Sequence, residues 1–301
     1  MLSYTLRQLE YFIAAAERGS VADAAAQVAV SQPSVSNAIA KLERQFGVQL
    51  FIRHHAQGVS LTPAGRRILA DARSLLRHAG ELQHNAVSAG EALSGELELG
   101  CFTTIAPLFM PRLITAFSAR HEGISIRLHE GIQHELFDGL LAGRFELALL
   151  YDLDLPPQLD AQPMATYQPY ALLPPGHRLV RRAKLKLQDL QDEPLILLDV
   201  PPSRDYFTGL FRDAGIEPRV AFSSPSLEMV RGLVGRGWGC SLLVTRPHGD
   251  HSYDGQKLVI RPLVGDLKPG EICLARLRQV RPTRLMDTFS QFCHDWFREA
   301  A

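Results

Sequence analysis

Residues 19–47 run GSVADAAAQVAVSQPSVSNAIAKLERQFG, and this stretch decides the fold of the N-terminal part of the chain. Ser20 is a good N-cap for a short alanine-rich helix, because its hydroxyl can accept a hydrogen bond from a free backbone N–H. Ser31 can cap the next helix, which carries Pro33 in its first turn, where the missing N–H costs nothing. The pattern predicts two helices separated by a three-residue break, a helix-turn-helix at about 21–40.

The flanking residues complete a small domain. Apolar residues recur at helical spacing from Leu6 to Ala16 and predict a first helix. After the third helix, Gln49–Leu61 fits a hairpin that turns near Gln57-Gly58. Three helices and a hairpin predict an all-α winged helix-turn-helix over residues 4–61.

The third helix is expected to present polar side chains to DNA. Gln32 and Asn37 suit adenine edges, and Pro33 suits a thymine methyl group in a major groove. Residues 1–67 carry seven basic and four acidic side chains, a formal charge of +3, whereas the whole chain is balanced at 32 of each. The predicted DNA-binding residues are Ser20, Ser31, Gln32, Pro33, Ser34, Ser36, Asn37, Lys41, Arg53 and Thr62.

Five motifs carry a family resemblance. They are Leu6-Arg7-Gln8-Leu9-x-Tyr11-Phe12, Gly19-Ser20-x-x-x-Ala24-Ala25, Ser31-Gln32-Pro33-Ser34-Val35-Ser36, Leu42-Glu43 with Gly47 and Leu50-Phe51-x-Arg53, and Leu61-Thr62-x-x-Gly65. Over residues 6–65 the chain resembles the LysR-type transcriptional regulators, in register. It departs from them in the wing, where His54-His55-Ala56 stands in place of a second arginine. The departure either weakens the affinity of the wing for DNA, or makes it pH-dependent through the histidines, or leaves solvent-exposed histidines without consequence.

The resemblance implies a biological role and a set of partners. The chain is expected to bind promoter double-stranded DNA, to contact RNA polymerase, and to form homodimers that assemble into a homotetramer. A small-molecule effector of unknown identity would change the tetramer's shape and the bend of the DNA. No catalytic activity, no metal and no other cofactor is expected, because the sequence lacks catalytic motifs and metal-ligand spacing.

Residues 62–90 predict a linker helix. Thr62-Pro63 suits its N-cap and first position. A seven-residue apolar seam follows, formed by Ile68, Ala72, Leu75, Ala79, Leu82, Ala86 and Ala89. The seam favours dimerisation, and the alternative is a helix that lies on its own domain.

Residues 91–301 change to apolar strands that alternate with helices, which favours parallel sheets flanked by helices. The predicted strands are Glu96–Cys101, Ser125–Glu130, Glu146–Tyr151, Tyr170–Leu173, Leu195–Leu198, Val220–Phe222, Ser241–Val244 and Glu271–Ala275. The resemblance implies an α/β effector domain with two subdomains, like a type II periplasmic binding protein. Crossovers near Thr166 and Lys268 would give subdomain I residues 95–166 and 268–301, and subdomain II residues 167–267.

Hydroxyl-rich segments precede three of the predicted helices of this domain. Ligands in open α/β sheets bind beyond the carboxyl ends of strands, where helix N-termini favour negative charge. The guanidinium of Arg204 can bind a carboxylate through two parallel hydrogen bonds. We therefore expect an anionic or zwitterionic effector; the predicted effector-binding residues are Phe102, Thr103, Thr104, Tyr151, Ser203, Arg204, Ser226 and Thr245.

Other functional classes find little support in the sequence. No run of 18 apolar residues and no signal peptide is present, so a cytoplasmic protein without a membrane partner is expected. The motifs of α/β hydrolases, P-loop enzymes and HExxH metalloproteases are absent, and Gly235–Gly239 fits a tight turn. A solute-binding protein and an α/β enzyme remain the alternatives. The four cysteines are expected to be reduced and buried, with a redox switch as the alternative.

Overall fold

The computed structural model describes residues 3–54, 58–87 and 93–300. Its N-terminal domain contains three helices and a two-stranded antiparallel wing, as expected. The elements are α1 (Leu6–Arg18), α2 (Val21–Gln27), α3 (Gln32–Phe46), β1 (Phe51–His54) and β2 (Gly58–Leu61). The winged helix-turn-helix prediction is therefore confirmed, although His55, Ala56 and Gln57 of the predicted turn lie outside the described residues.

Local capping sets the helix ends of this domain. The Thr5 hydroxyl accepts from the Gln8 N–H, and the Gln8 side chain accepts from the Thr5 N–H in return, which closes a capping box. Gly19 and Gly47 end α1 and α3 at φ of 62° and 67°, a left-handed conformation that glycine adopts without strain.

A compact hydrophobic core joins the three helices to the wing. Phe12 of α1, Ile39 and Leu42 of α3, and Leu50 at the start of the wing are fully buried together. Ala24 and Ala25 are the buried residues of α2, and their small side chains let α1 and α3 approach it closely. The core fixes the orientation of α3 and so leaves its other face free.

The wing lies against the turn between α1 and α2. The Val59 N–H donates to the Gly19 carbonyl at 2.7 Å. Gly58 has a φ of +88°, and a Cβ there would be 2.1 Å from the same carbonyl oxygen. A side chain at position 58 would therefore push the wing away from the helices.

The linker helix α4 spans Pro63–Val87. Thr62 caps it, because its Oγ1 accepts from the Gly65 N–H at 2.9 Å. The early part of the predicted seam is covered by the chain's own DNA-binding domain: Ala72 is buried in that core and Ile68 packs against it. Leu75 is 38% exposed and Leu82 73% exposed. The last seam residues, Ala86 and Ala89, lie outside the described side chains. The expected single dimer seam is wrong for its first two positions.

Subdomain I contains a five-stranded mixed sheet of order β4-β3-β5-β12-β6. Its elements are β3 (Gly95–Phe102), α5 (Ala106–Arg120), β4 (Ile124–Gly131), α6 (Gln133–Leu141), β5 (Leu147–Tyr151), β6 (Leu159–Tyr167), β12 (Gly270–Leu277) and α9 (Arg284–Ala300). β3, β4 and β5 are parallel, as predicted, but β12 runs antiparallel to β5 and β6. The chain returns from subdomain II before it forms β12, which reverses the strand direction.

Subdomain II has the same layered arrangement. Its elements are β7 (Tyr170–Leu173), β8 (Leu195–Leu198), α7 (Ser203–Asp213), β9 (Val220–Ser224), α8 (Leu227–Gly235), β10 (Ser241–Leu243) and β11 (Val259–Pro262). β7 pairs antiparallel with β10 and β11, whereas β8 and β9 are parallel. The chain crosses between the subdomains at residues 168–169 and again at 263–269. The expected fold, a winged helix-turn-helix joined by a helix to a two-subdomain α/β domain, is confirmed, with mixed rather than parallel sheets.

Candidate DNA-binding surface and effector cleft

The exposed face of α3 carries the predicted base-reading side chains. Gln32, Pro33, Ser34, Asn37 and Lys41 are exposed in the described protein. On the opposite face, Val35, Ile39 and Leu42 are buried and fix the helix to the core. Ser36 is half-buried between the two faces. Because the buried residues recur at helical spacing on one face, the polar residues form a strip about two helical turns long on the other face.

Four of the predicted DNA-binding hydroxyls have structural partners. Ser20 Oγ accepts from the Asp23 N–H at 3.2 Å, and Ser31 Oγ lies 2.7 Å from Ser34 Oγ. Thr62 Oγ1 donates to the Gln49 carbonyl at 2.7 Å while it accepts from Gly65. Ser20 and Thr62 therefore act first as helix caps, and they hold their helix N-termini at the protein surface.

The wing presents Arg53 to solvent. His54 Nε2 lies 2.7 Å from Ser60 Oγ across the two strands, so this histidine has a partner within the wing. Sequence reasoning missed the role of Glu43, whose Oε1 accepts from the N–H groups of Leu50 (2.8 Å) and Phe51 (3.2 Å). This carboxylate ties the start of the wing to α3. The Leu42-Glu43 motif was visible in the sequence, but its long-range backbone partners were not.

The cleft between the subdomains contains a small inner cavity. It is lined by Thr104, Tyr151, Leu153, Leu198, Ser203, Tyr206, Phe207, Leu227, Leu243, Val244, Thr245 and Gly270. Its free volume is about 20 Å³, which is room for about one water molecule. In this arrangement the inner cavity is too small for a metabolite.

A hydrogen bond closes the inner cavity across the cleft. The Tyr151 hydroxyl, from subdomain I, lies 3.3 Å from Thr245 Oγ1 of subdomain II. Burial raises the pKa of Tyr151, so the phenol is neutral and can donate at ordinary pH. The Tyr170 hydroxyl donates to the Thr245 carbonyl at 3.1 Å, which holds this residue from a second side.

A second, outer cavity has the size of a ligand site. Its free volume is about 680 Å³, within the range of small-molecule pockets. Its lining comes from both subdomains and consists of Thr103, Thr104, Pro107, Leu108, Pro225, Ser226, Leu227, Glu228, Arg231, Pro247, His248, His251 and Tyr253. Thr104 and Leu227 line both cavities, so the two are neighbours in one cleft.

The N-termini of two helices meet at the outer cavity. The first turn of α5 contributes Pro107 and Leu108, and the first turn of α8 contributes Leu227 and Glu228. Helix N-termini carry partial positive charge and unpaired N–H groups. Ser226 uses its hydroxyl to cap α8 through the Met229 N–H at 3.3 Å.

A buried arginine orders one wall of this cavity. Arg231 is 2% exposed; its Nε lies 2.7 Å from Glu228 Oε1, and its Nη2 donates to the His251 carbonyl at 2.7 Å. Glu228 Oε2 also accepts from the Tyr253 N–H at 3.2 Å. The Arg231–Glu228 ion pair therefore holds the loop at His251 and Tyr253 against the cavity.

The predicted effector residues are divided between the two cavities. Thr103, Thr104 and Ser226 line the outer cavity; Thr104, Tyr151, Ser203 and Thr245 line the inner one. Two predicted residues lie in neither lining. Phe102 is fully buried and packs edge-on against Tyr151 at 5.4 Å between ring centroids, and Arg204 Nη1 is held 2.6 Å from Asp199 Oδ2 on the surface.

Sequence reasoning missed the loop after β10. Thr245 was selected there, but His248, His251 and Tyr253 also reach the outer cavity. The same rule that selected the other loops, polar residues beyond the carboxyl end of a strand, applies to this segment. Because this loop is long and contains Gly249, the sequence did not indicate that it returns to the cleft.

No group of three or more metal-ligating side chains occurs in the described ranges. Over the same ranges, every helix is too short or too polar to cross a bilayer. All four cysteines are buried and outside any disulfide, as the sequence predicted.

Comparisons with known proteins cover nearly the whole chain. Residues 6–66 match the family described as "Bacterial regulatory helix-turn-helix protein, lysR family", and residues 90–298 match "LysR substrate binding domain". A hydrogen peroxide-inducible genes activator of Dickeya chrysanthemi is 32% identical over 246 residues, 79% of this chain and 78% of that protein.

Two solved structures extend the comparison over the full length. HinK, a LysR family transcriptional regulator from Pseudomonas aeruginosa, is 46% identical, with a TM-score of 0.68 over 99% of this chain and 100% of that one. Full-length CbnR in complex with its target DNA is 27% identical, with a TM-score of 0.59 over 97% and 99%.

Proposed function

The chain belongs to the LysR family of bacterial transcription regulators, and we propose that it controls a promoter in response to a small polar effector held in the outer cavity. One observation carries this proposal: a winged helix with a free polar face is joined, through one continuous helix, to a domain with a ligand-sized cleft. DNA binding and effector response belong to the family. The residues and the ligand chemistry are the proposal.

Base reading is assigned to α3. Gln32 and Asn37 would contact base edges in a major groove, Pro33 a thymine methyl, and Lys41 a phosphate. Arg53 would reach a minor groove or phosphate from the wing. Their exposure, together with the buried anchor residues behind them, supports this assignment.

Fluorescence anisotropy with DNA from upstream of the protein's own gene tests the assignment. Asn37→Ala should weaken specific binding by about 1–3 kcal/mol, whereas Lys41→Ala should weaken binding to all sequences and lower the salt slope by about one. Gln188→Ala, on the exposed surface of subdomain II, is the control. A wild-type protein that binds no promoter DNA at moderate salt would overturn the reading.

The effector is proposed to be anionic or zwitterionic, with no metal or other cofactor. The two helix N-termini, Thr103, Ser226 and the loop histidines support a ligand with hydrogen-bonding, negatively charged groups. Arg204 no longer supports it, because that guanidinium is occupied by Asp199.

Calorimetric titration with a panel of carboxylates and amino acids tests the ligand class. The Thr103→Val variant should bind the identified ligand with lower affinity than the wild type, while the Arg204→Ala variant should bind it with the wild-type affinity. Binding lost in Arg204→Ala but kept in Thr103→Val would place the ligand elsewhere.

The remaining proposed partners are further copies of this chain and RNA polymerase. We propose a homodimer through α4 and a homotetramer through the effector domains, since closed symmetric assemblies match paired half-sites on DNA. We further propose that the protein is cytoplasmic and contacts RNA polymerase, and that it has no catalytic activity and no membrane partner. In vitro transcription with purified polymerase measures that contact.

A further inference from the structure

A buried ion pair joins the linker helix to the effector domain. Arg77 Nε of α4 lies 2.8 Å from Glu146 Oε1, and the Glu146 side chain is only 3% exposed. Arg77 Nη1 also donates to the Gly143 carbonyl at 3.3 Å. A buried charge that loses its partner is strongly destabilised, so this contact favours one position of the helix on the domain.

Arg73, one turn earlier, links three parts of the protein. Its Nη1 donates to the Ala142 carbonyl of the effector domain at 2.6 Å, and its Nη2 lies 2.6 Å from Glu17 Oε1 of α1. The side chain itself belongs to the linker helix. A displacement of residues 142–146 would therefore reach the DNA-binding domain through one guanidinium.

The backbones at this joint approach closely. Gly143 has a φ of +65°, and a Cβ there would lie 3.3 Å from the Cα of Ala70 on α4. The joint is defined here as Arg73 and Arg77 of α4 with Ala142, Gly143 and Glu146 of the effector domain.

The elements that form the joint reach the cleft at their other ends. β5 begins directly after Glu146 and ends at Tyr151, which lines the inner cavity and faces Thr245. Its five residues span about 17 Å and are all buried. α6 ends beside Gly143 and begins at Gln133, whose amide donates to the carbonyls of Tyr151 (3.3 Å) and Leu153 (2.5 Å).

We propose that α6 and β5 form a rigid lever that transmits closure of the cleft to the linker helix, with the Arg77–Glu146 ion pair and Arg73 as its outer contact. The inference rests on the proposed effector cleft and names the route by which that cleft regulates DNA binding. Cleft closure changes the position of Tyr151; the buried strand carries this change to Glu146; Arg77 and Arg73 pass it to α4 and α1. A coupling of this kind is established by measurement and not by proximity alone.

Hydrogen exchange on the full-length protein tests the lever without effector or DNA. Tyr151→Phe, which removes the cross-cleft hydrogen bond, should raise exchange of the α4 amides at 73–78 by about fivefold or more. In an Arg77→Met/Glu146→Met background, the same Tyr151→Phe change should raise exchange of those amides by less than half as much, because only the Arg73 contacts to Ala142 and Glu17 remain. The double methionine variant is chosen because replacing both members of a buried pair by apolar groups preserves folding better than removing one.

Glu193→Gln is the matched control. Glu193 is a largely buried carboxylate that pairs with His177 and Arg178 in subdomain II, far from α4 in the fold. In this background Tyr151→Phe should still act on residues 73–78. If Tyr151→Phe has no effect on α4 in the wild type, or acts equally in the double methionine variant, the lever does not exist. Such a result would leave DNA binding in the anisotropy assay untouched, so failure of the lever is separable from failure of the proposed function.

Discussion

The four cysteines illustrate how burial sets chemistry at single residues. Burial raises the pKa of Cys240 and of Cys273 to about 12, and raises the pKa of Cys101 and Cys293 above the usual thiol range. The reactive species in thiol oxidation is the thiolate, so these residues are poor peroxide sensors at neutral pH. The relative from Dickeya chrysanthemi is named a hydrogen peroxide-inducible genes activator, whereas all four thiols of this chain are buried.

We therefore expect the native protein to be inert to thiol reagents. At pH 7 the raised pKa leaves almost no thiolate, and the thiolate form appears only as the pH approaches about 12. Ellman's reagent should label fewer than one thiol per native chain and all four after denaturation. Rapid labelling of a native cysteine, or a disulfide formed by millimolar peroxide, would contradict this expectation.

Gly65 is a second residue whose role is set by its surroundings. A Cβ there would lie 2.2 Å from the Leu50 carbonyl oxygen, where α4 meets the wing. Gly65→Ala should lower the free energy of unfolding of the DNA-binding domain by about 1–3 kcal/mol, because neither backbone can move away freely.

Thermal denaturation compares it with Gly209→Ala in α7. Nothing lies within 4 Å of a Cβ at position 209, so alanine in this helix interior should stabilise by about 0.5–1 kcal/mol. Equal melting temperatures for the two variants would show that the close approach at Gly65 is relieved at little cost.

At the residue scale, sequence reasoning found positions more reliably than contacts. It placed Thr103, Tyr151 and Thr245 near a cleft, because strand ends and helix starts are readable from apolar runs. It selected Arg204 and missed Arg231. Arg204 lies in the first turn of α7, but its side chain pairs with Asp199. Arg231 lies inside α8, and its burial depends on a loop 20 residues further along the chain.

At the scale of elements, the link between α3 and the wing depends on Glu43. Its carboxylate accepts the two N–H groups that begin the wing. Glu43→Ala should cost about 1.5–3 kcal/mol per lost charged hydrogen bond and should raise exchange of the Leu50 and Phe51 amides. Glu43→Gln keeps an acceptor oxygen and should recover most of the protection. If the Leu50 and Phe51 amides exchange at the same rate in the Glu43→Ala and Glu43→Gln variants, the Glu43 side chain does not hold the wing.

Most helices and strands in the described ranges were predictable; α9 was not predicted, and the missed strands have physical causes. β6 contains Pro163, and it was missed because proline weakens a strand signal; the strand is tolerated because it lies at the sheet edge. β11 is short and ends in Pro262. The predicted parallel direction was wrong for β12 and for the pair of β7 and β10, since apolar runs alone do not reveal the direction of a strand after the chain has crossed between subdomains.

At the scale of the whole molecule, the exposed part of α4 is the expected dimer contact. Leu82 is 73% exposed in a single chain and lies seven residues after Leu75, which is 38% exposed, so the two form an exposed part of the seven-residue apolar seam. Leu82→Glu should shift the protein to smaller assemblies in light scattering after size exclusion. Gln188→Glu adds the same charge on an exposed turn and should leave the mass unchanged. An unaltered mass for Leu82→Glu would move the dimer contact away from α4.

The two domains of a single chain keep separate hydrophobic cores, and the contacts between them at the joint are few and mostly polar. This separation makes the protein open to recombination. A gene fusion that exchanges residues before the joint for those of another family member has to preserve the partners of Arg73 and Arg77 and the close approach of Ala70 to Gly143, not a shared core. Lineages could in this way place an existing sensor under a new operator, and an engineer building a metabolite reporter has the same option.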